Sequence, residues 1–342
     1  MDAKSIIFSP TDRMNLTQKH LKRRRENNGD GIPLYLKGVD YEKGVPDAHF
    51  IPAMRGDATA IIARPSNAKT GVMVRWMRER AKWIVKNKIE NRVCVYVTTE
   101  TAVENLSTFL IVAQAREQHR IEKSTTEFAM GDITDSEWAE FEQLNADSIL
   151  LPVWMIGHSL DREAARPDMT PEVIIAAFEE IQKWNNDKTQ IDICFFDYLQ
   201  RFPLIKGMDA RGSYSKYVDT FKNIAIQFNT HSVIGVQARR EVEDKKWPIP
   251  TMRDGAETAN IEQSCQNVFS LVRPRMYFEV GDMFGDRNPV KIEKDHLLLS
   301  CLKQTNGEPN WFKWLKFQPE YNRLDILEEK SINFNPSRKD LE

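Results

Sequence analysis

A chain of 342 residues with 41% hydrophobic content buries a large core, and its length fits one large domain with appendages. The 48 basic and 50 acidic residues leave a net charge of −2, which excludes a global field drawing the chain to nucleic acid; such binding would rest on local basic patches. Cys94, Cys194, Cys265 and Cys301 form no CxxC pair, the six histidines show no metal-ligand spacing, and no apolar run approaches the ~20 residues that span a membrane, so the reading is a soluble cytoplasmic protein without a disulfide framework.

Residues 1–30 are polar and run into "KRRRENNGDG" (22–31). The pattern predicts a short helix over about 12–26, capped by Thr11 or Asp12, and the basic run Lys22–Arg25 reads as a solvated face. From Thr59 the pattern is regular. "TAIIAR" predicts a strand, followed by a loop and a helix to about Asn87. "VCVYVTTE" (93–100) predicts a buried strand, and 101–116 a helix with Thr101 and Glu104 at capping-box spacing. Residues 117–148 are charged and irregular, with room for short helices. "ILLPVWMIG" is a strand candidate, and "TPEVIIAAFEEIQKWNND" a helix with Thr170 as cap and Pro171 at its first position. "IDICFFD" (191–197) predicts a strand, "YSKYVDTFKNIAIQFN" a helix, and "SVIGVQ" (232–237) a strand. Apolar runs follow at 267–272, 296–302 and 311–317, where Trp311 and Trp314 read as packing residues. Strands alternating with helices predict an α/β fold around a mostly parallel sheet.

In such a sheet, ligands bind beyond the carboxyl ends of the strands. The first strand is followed by Ala63-Arg64-Pro65-Ser66-Asn67-Ala68-Lys69-Thr70-Gly71, the second by Thr99 and Glu100, the "IDICFF" strand by Asp197, and "SVIGV" by Gln237. These are the parts of a phosphoryl-transfer site. Backbone N–H groups at a helix start hold phosphate oxygens. Lys69 reaches the outer phosphates, and the Thr70 hydroxyl with Asp197 holds Mg²⁺. Glu100 deprotonates the attacking water, and Gln237 senses the outermost phosphate. A phosphate-binding loop of this kind usually carries glycine where this one has Ala63 and Ala68. An alanine in a left-handed conformation costs on the order of 1–2 kcal/mol, a penalty that ligand contacts can offset.

These residues resemble the ATPase domain of DnaB-like replicative DNA helicases, a P-loop ATPase core of RecA-like fold. "RGDATAIIARPSNAKT" resembles the family's Walker A segment "PGDLIIVAARPSMGKT", whose first glycine is often alanine, so that only Ala68 departs. "VYVTTE" resembles "FSLE", "ICFFDYLQ" resembles the Walker B motif "IDYLQ", "VIGVQARREVE" resembles "VALSQLNRSLE", and "LKQTNGEPNWFKWLKF" resembles "AKQRNGP…LTF". The resemblance covers about Gly31 to Leu327. It implies an ATPase domain over 31–330, a linker helix or arm over 1–30 and a tail over 331–342, with no match to the family's N-terminal domain. It further implies ATP and Mg²⁺ as cofactors, a hexameric ring of copies with single-stranded DNA in its channel, a primase or loader as partner, and a place in the cytoplasm of a bacterium or of a phage's host. Lys303 matches the family lysine that faces a neighbour's γ-phosphate, while the family's arginine two residues on is Thr305 here. The loop after "DYLQ" carries Arg201, Lys206, Arg211 and Lys216, and the next carries Arg239, Arg240 and Arg253. Of these, Arg211, Lys216, Arg239, Arg240 and Arg253 are the DNA-contact candidates. The resemblance implies an ATP-driven DNA helicase. The alternative is a RecA-type ATPase that switches on DNA or a protein without processive unwinding.

Overall fold

The chain is described by a computed structural model over residues 9–26, 31–36, 53–118, 122–148, 151–160, 168–255, 258–286 and 289–327. In chain order, the elements begin with helix α1 (Pro10–Glu26), strand β1 (Ala58–Ala63), α2 (Lys69–Lys86), β2 (Arg92–Thr98) and α3 (Val103–Glu117). The short helix α4 (Thr125–Ala129) and the longer α5 (Asp135–Ser148) follow, then β3 (Val153–Ile156), α6 (Pro171–Asp187), β4 (Gln190–Asp197), α7 (Ala210–Gln227) and β5 (His231–Gln237). The chain continues through α8 (Thr258–Ser264) and β6 (Asn267–Val272) to a small hairpin, β7 (Met283–Phe284) and β8 (Val290–Lys291). It ends with β9 (His296–Gln304), β10 (Phe312–Gln318) and β11 (Arg323–Ile326).

The nine longer strands form one sheet in the order β11-β10-β9-β6-β1-β5-β4-β2-β3. From β6 to β3 all neighbours are parallel; β9, β10 and β11 join antiparallel, so the late apolar runs form a meander beside the α/β core. Successive side chains of a strand point to opposite faces, and here both faces are covered. In β1, Ala58, Ala60 and Ile62 pack with α6 and α7, while Ile61 and Ala63 pack with α2 and α3. That double coverage is why these strands read as continuous apolar runs. Trp311 and Trp314 are buried, as expected of packing residues. No helix among the described residues is long and apolar enough to cross a membrane.

Several local expectations change. Helix α1 is capped by Ser9, whose hydroxyl accepts the Asp12 N–H at 3.1 Å while the Asp12 carboxylate accepts the Ser9 N–H at 3.0 Å, so Asp12 is the third helical residue rather than the cap. The Lys22 side chain is exposed, and those of 23–25 lie outside the described residues. Thr101 and Glu104 form no capping box. Helix α3 starts after Ala102, and the Glu104 carboxylate instead accepts bonds from Ser159 Oγ and the Leu160 N–H. Helix α7 starts four residues earlier than its apolar period shows, at an Asp209 cap that accepts the Gly212 N–H at 2.7 Å, so Arg211 and Lys216 lie on a helix and not in a loop. The Thr170 cap and Pro171 start of α6 are as read.

Candidate active site

Register aligns the strand ends. Ala63 pairs with Gln237 between β1 and β5, and Thr98 pairs with Asp197 between β2 and β4. The loop after β1, Glu100 after β2, Asp197 and Gln237 therefore share one edge of the sheet. Strand β5 lies between β1 and β4, so a side chain from the start of α2 must cross β5 to meet Asp197. It crosses at Gly235. A Cβ there would stand 3.2 Å from Lys69 Cδ and 3.3 Å from both Asp197 Oδ1 and Met73 Sδ.

The loop runs from extended Ala63, inside β1, to Ala68, which has φ 68° and ψ 12° and sits at the head of α2. The left-handed strain falls on Ala68 and on Ser66 (φ 64°), not on Ala63. Helix α2 has no side-chain cap and no acidic residue in its first turn, so its N-terminal N–H groups and positive dipole end are left for an anion. Two loop residues are braces. The buried Asn67 amide donates to Pro65 O and to Tyr277 Oη, both at 3.0 Å, and its oxygen accepts the Arg273 N–H at 2.7 Å. Arg64 pairs with Glu243 at 2.6 Å and donates to Ala238 O at 3.0 Å. Ala63 and Asn67 are absent from the cavity wall, whereas Arg64, Pro65, Ser66, Ala68, Lys69, Thr70 and Gly71 line it.

Thr70 Oγ1 donates to Asp197 Oδ2 at 2.6 Å, and Tyr96 Oη donates to the same oxygen at 2.9 Å. Burial holds Tyr96 protonated well above the usual phenol range, which keeps it a donor. Asp197 is 4% exposed, and its Oδ1 is buried without a hydrogen-bond partner. A buried carboxylate oxygen left so is costly, and a hard cation with its water shell satisfies it; the hydroxyl and carboxylate form an oxygen donor set that suits Mg²⁺. Lys69 Nζ lies 3.6 Å from the Tyr198 ring centroid. Burial pushes the Lys69 ammonium down to about 8, against the pull of Asp197 and Glu100. A polyphosphate at this point would offset that desolvation. Glu100 is half-exposed, with Arg201 Nη2 3.4 Å from its Oε1. Gln237 lines the same cavity, and its N–H donates to Gln200 Oε1 at 2.9 Å.

The cavity measures about 630 Å³. Sequence reasoning missed part of its wall: Phe109, Tyr198, Arg273, Phe317, Pro319 and Asn322. Arg273 directly follows β6 and donates to Ser66 O at 3.3 Å, and its guanidinium carbon lies 5.5 Å from the Phe317 ring. Gly71 is what lets Phe317 close in, since a Cβ at 71 would sit 2.6 Å from Phe317 Cζ. "LVRP" at a strand's carboxyl end was the available signal for Arg273; nothing in the sequence pointed to Phe317 and Asn322, which come from the antiparallel meander.

Lys303 does not reach this cavity. Its ammonium donates to Glu262 O and, at 2.8 Å, to Cys265 O, at the end of α8, and Thr305 donates to Gln266 O at 3.0 Å. The DNA candidates Arg211 and Lys216 are exposed on α7, and Arg239, Arg240 and Arg253 are exposed beyond β5. The Arg239 N–H donates to Asp254 O at 2.8 Å, which sets the segments of Arg239, Arg240 and Arg253 side by side. The Asn260 amide donates to Ser215 O at 2.8 Å and ties α8 to α7.

A family model, the DnaB-like helicase C terminal domain, matches residues 47–325. The chain is 24% identical over 273 residues to a probable replicative DNA helicase of Trieres chinensis, covering 79% of this chain and 53% of that protein. It is 22% identical over 223 residues to the replicative DNA helicase DnaB of Mycoplasma genitalium, covering 64% of this chain and 42% of that one. The chain thus spans about half the length of these two relatives. Among solved structures, one of an ATPase domain superposes with a TM-score of 0.67 at 17% identity, over 92% of this chain and 99% of that one. A DnaB-like replicative helicase described with its primase interactions superposes with a TM-score of 0.63 at 19% identity, over 81% and 60%. Matched by the family model over most of its length, and carrying the expected RecA-like α/β fold, the chain belongs to the DnaB-like helicase C-terminal domain family.

Proposed function

We propose that the chain is the ATP-hydrolysing motor of a replicative DNA helicase that moves along single-stranded DNA as a ring of copies. The observation that carries the ATP site is the Thr70–Asp197 contact beside the unpartnered Asp197 Oδ1, at the uncapped N-terminus of α2. The N–H groups of residues 69–71 and the Lys69 ammonium bind the phosphates. Thr70 and Asp197 hold Mg²⁺, which neutralises charge on the phosphate oxygens when bound. Glu100 takes the proton of the attacking water, and Gln237 reports the outermost phosphate to the segment after β5. Arg273 and Phe317 line the same cavity and suit a flat base.

Family membership favours the helicase over a nucleotide switch that does not unwind. The exposed cations of α7 and of the segments around Arg239 and Arg253 supply backbone contacts to a single strand. The structural neighbour described with primase makes a primase the first partner class to test. The test of the site is Glu100→Gln, with ATP binding, ATP turnover and strand displacement measured together. Binding should persist while turnover falls roughly 10²–10⁴-fold, the usual worth of a positioned base. Wild-type turnover in this variant would remove Glu100 from the mechanism.

A further inference from the structure

Arg201 ends the short turn Leu199–Arg201 that leaves β4, and its Nη2 lies 3.4 Å from Glu100 Oε1. The neighbouring Gln200 accepts the Gln237 N–H at 2.9 Å. Two adjacent side chains of one turn thus hold the base and the end of β5. The same turn leads within ten residues to α7, where Arg211 and Lys216 are exposed. Arg201 also lines a second cavity of about 310 Å³ with Thr98, Thr99, His158 and Asp168. Asp168 is a carboxylate in the wall of the same cavity.

We infer that Arg201 is a positioning residue that restrains Glu100 until DNA binds. A guanidinium on the carboxylate neutralises the base and occupies an oxygen that would accept the water's proton. Both side chains are about half-exposed, and such solvent-screened pairs are weakly held, so the contact exchanges readily. Movement of the turn when α7 takes up a DNA strand transfers Arg201 from Glu100 to Asp168 and frees the base. A bistable contact of this kind couples two sites only through its different partners in each state. The inference rests on Glu100 being the base.

The test is ATP turnover with and without oligothymidylate for Arg201→Ala, Arg201→Lys, Asp168→Asn and Glu100→Gln. Arg201→Ala should raise DNA-free kcat by about fivefold, the equivalent of about 1 kcal/mol, with KM unchanged and DNA-stimulated kcat near wild type, so the stimulation ratio shrinks. Arg201→Lys should restore part of the restraint. Asp168→Asn should leave DNA-free turnover unchanged and lower DNA-stimulated kcat severalfold, because the released state loses its partner. A fall in kcat for Arg201→Ala, rescued by lysine, would show that Arg201 orients the base for attack and would overturn the inference, as would unchanged DNA-free turnover. Wild-type turnover in Glu100→Gln would remove the base assignment itself. A slow Glu100→Gln beside wild-type behaviour of the other three variants would remove this inference alone.

Discussion

Gly235 is the point where stability and catalysis should separate. Its backbone does not lie in the left-handed region, so an alanine fits the strand and lowers the entropy of the unfolded chain by about 0.4–1 kcal/mol. The added methyl meets Lys69 Cδ at 3.2 Å, Asp197 Oδ1 at 3.3 Å and Met73 Sδ at 3.3 Å, each closer than an ordinary van der Waals contact. Overpacking of this kind costs about 1–3 kcal/mol if nothing moves, but the lysine stem yields by a few tenths of an ångström. Net stability should therefore change by about 1 kcal/mol or less. The yielding group is the one that, in the proposed mechanism, reaches the phosphates. A misplacement of about 1 Å costs on the order of 10² in rate, so a shift of a few tenths should lower kcat by roughly tenfold. Gly235→Val should cost more. The assay is steady-state ATP turnover beside urea unfolding of the same preparation. A folded Gly235→Ala protein with wild-type kcat and KM would refute the argument that Lys69 and Asp197 meet over this glycine.

Three further outcomes follow from the same geometry. Ala68→Gly relieves a left-handed alanine at φ 68° and should raise unfolding free energy by about 0.5–1 kcal/mol after the glycine's own entropy cost; a lower urea midpoint would contradict the strain. His231 is fully buried between Met54 O at 2.8 Å and Thr59 Oγ1 at 2.9 Å, which fixes Nδ1 as donor and Nε2 as acceptor, and burial holds its pKa down at about 4. A depressed folded-state value means that its contribution is full above the ordinary value of 6.5 and is lost as pH falls towards 4, a change of roughly 3 kcal/mol. His231→Gln should flatten the stability slope in that window, and an unchanged slope would count against the assignment. Asp192 acts in a separate, more acidic window: burial raises its pKa, but Arg80 and Arg55 outweigh that and hold it below the usual carboxylate range. Finally, Lys303→Ala subunits mixed with Lys69→Ala subunits should exceed the weighted sum of the parents' ATP turnover if Lys303 leaves the end of α8 to act on a neighbour's nucleotide. In particles shown to exchange subunits, a rate that never exceeds that sum would place Lys303 outside the mechanism.

The sequence by itself determined the α/β class and the four strand ends. Apolar runs of strand length, alternating with helical periods, leave a double-covered parallel sheet as the packing solution, and such a sheet puts Lys69, Glu100, Asp197 and Gln237 at one edge. It also marked the unusual Ala68. Local chemistry was less legible: the capping-box spacing at Thr101 and Glu104 is satisfied equally well by a long-range partner, and the Glu104 carboxylate goes to Ser159 and Leu160. What only the tertiary structure decided follows from strand order, which no local pattern encodes. Because β5 lies between β1 and β4, Gly235 became the crossing point for Lys69 and Asp197. Because the last strands fold back beside β6, Phe317 and Asn322 close the cavity from the far end of the chain. Arg201 reads in sequence as one more surface cation. It lies against Glu100 because β4 and β2 are neighbours, and long-range juxtapositions of this kind are set by how the whole sheet closes rather than by any segment's own preference.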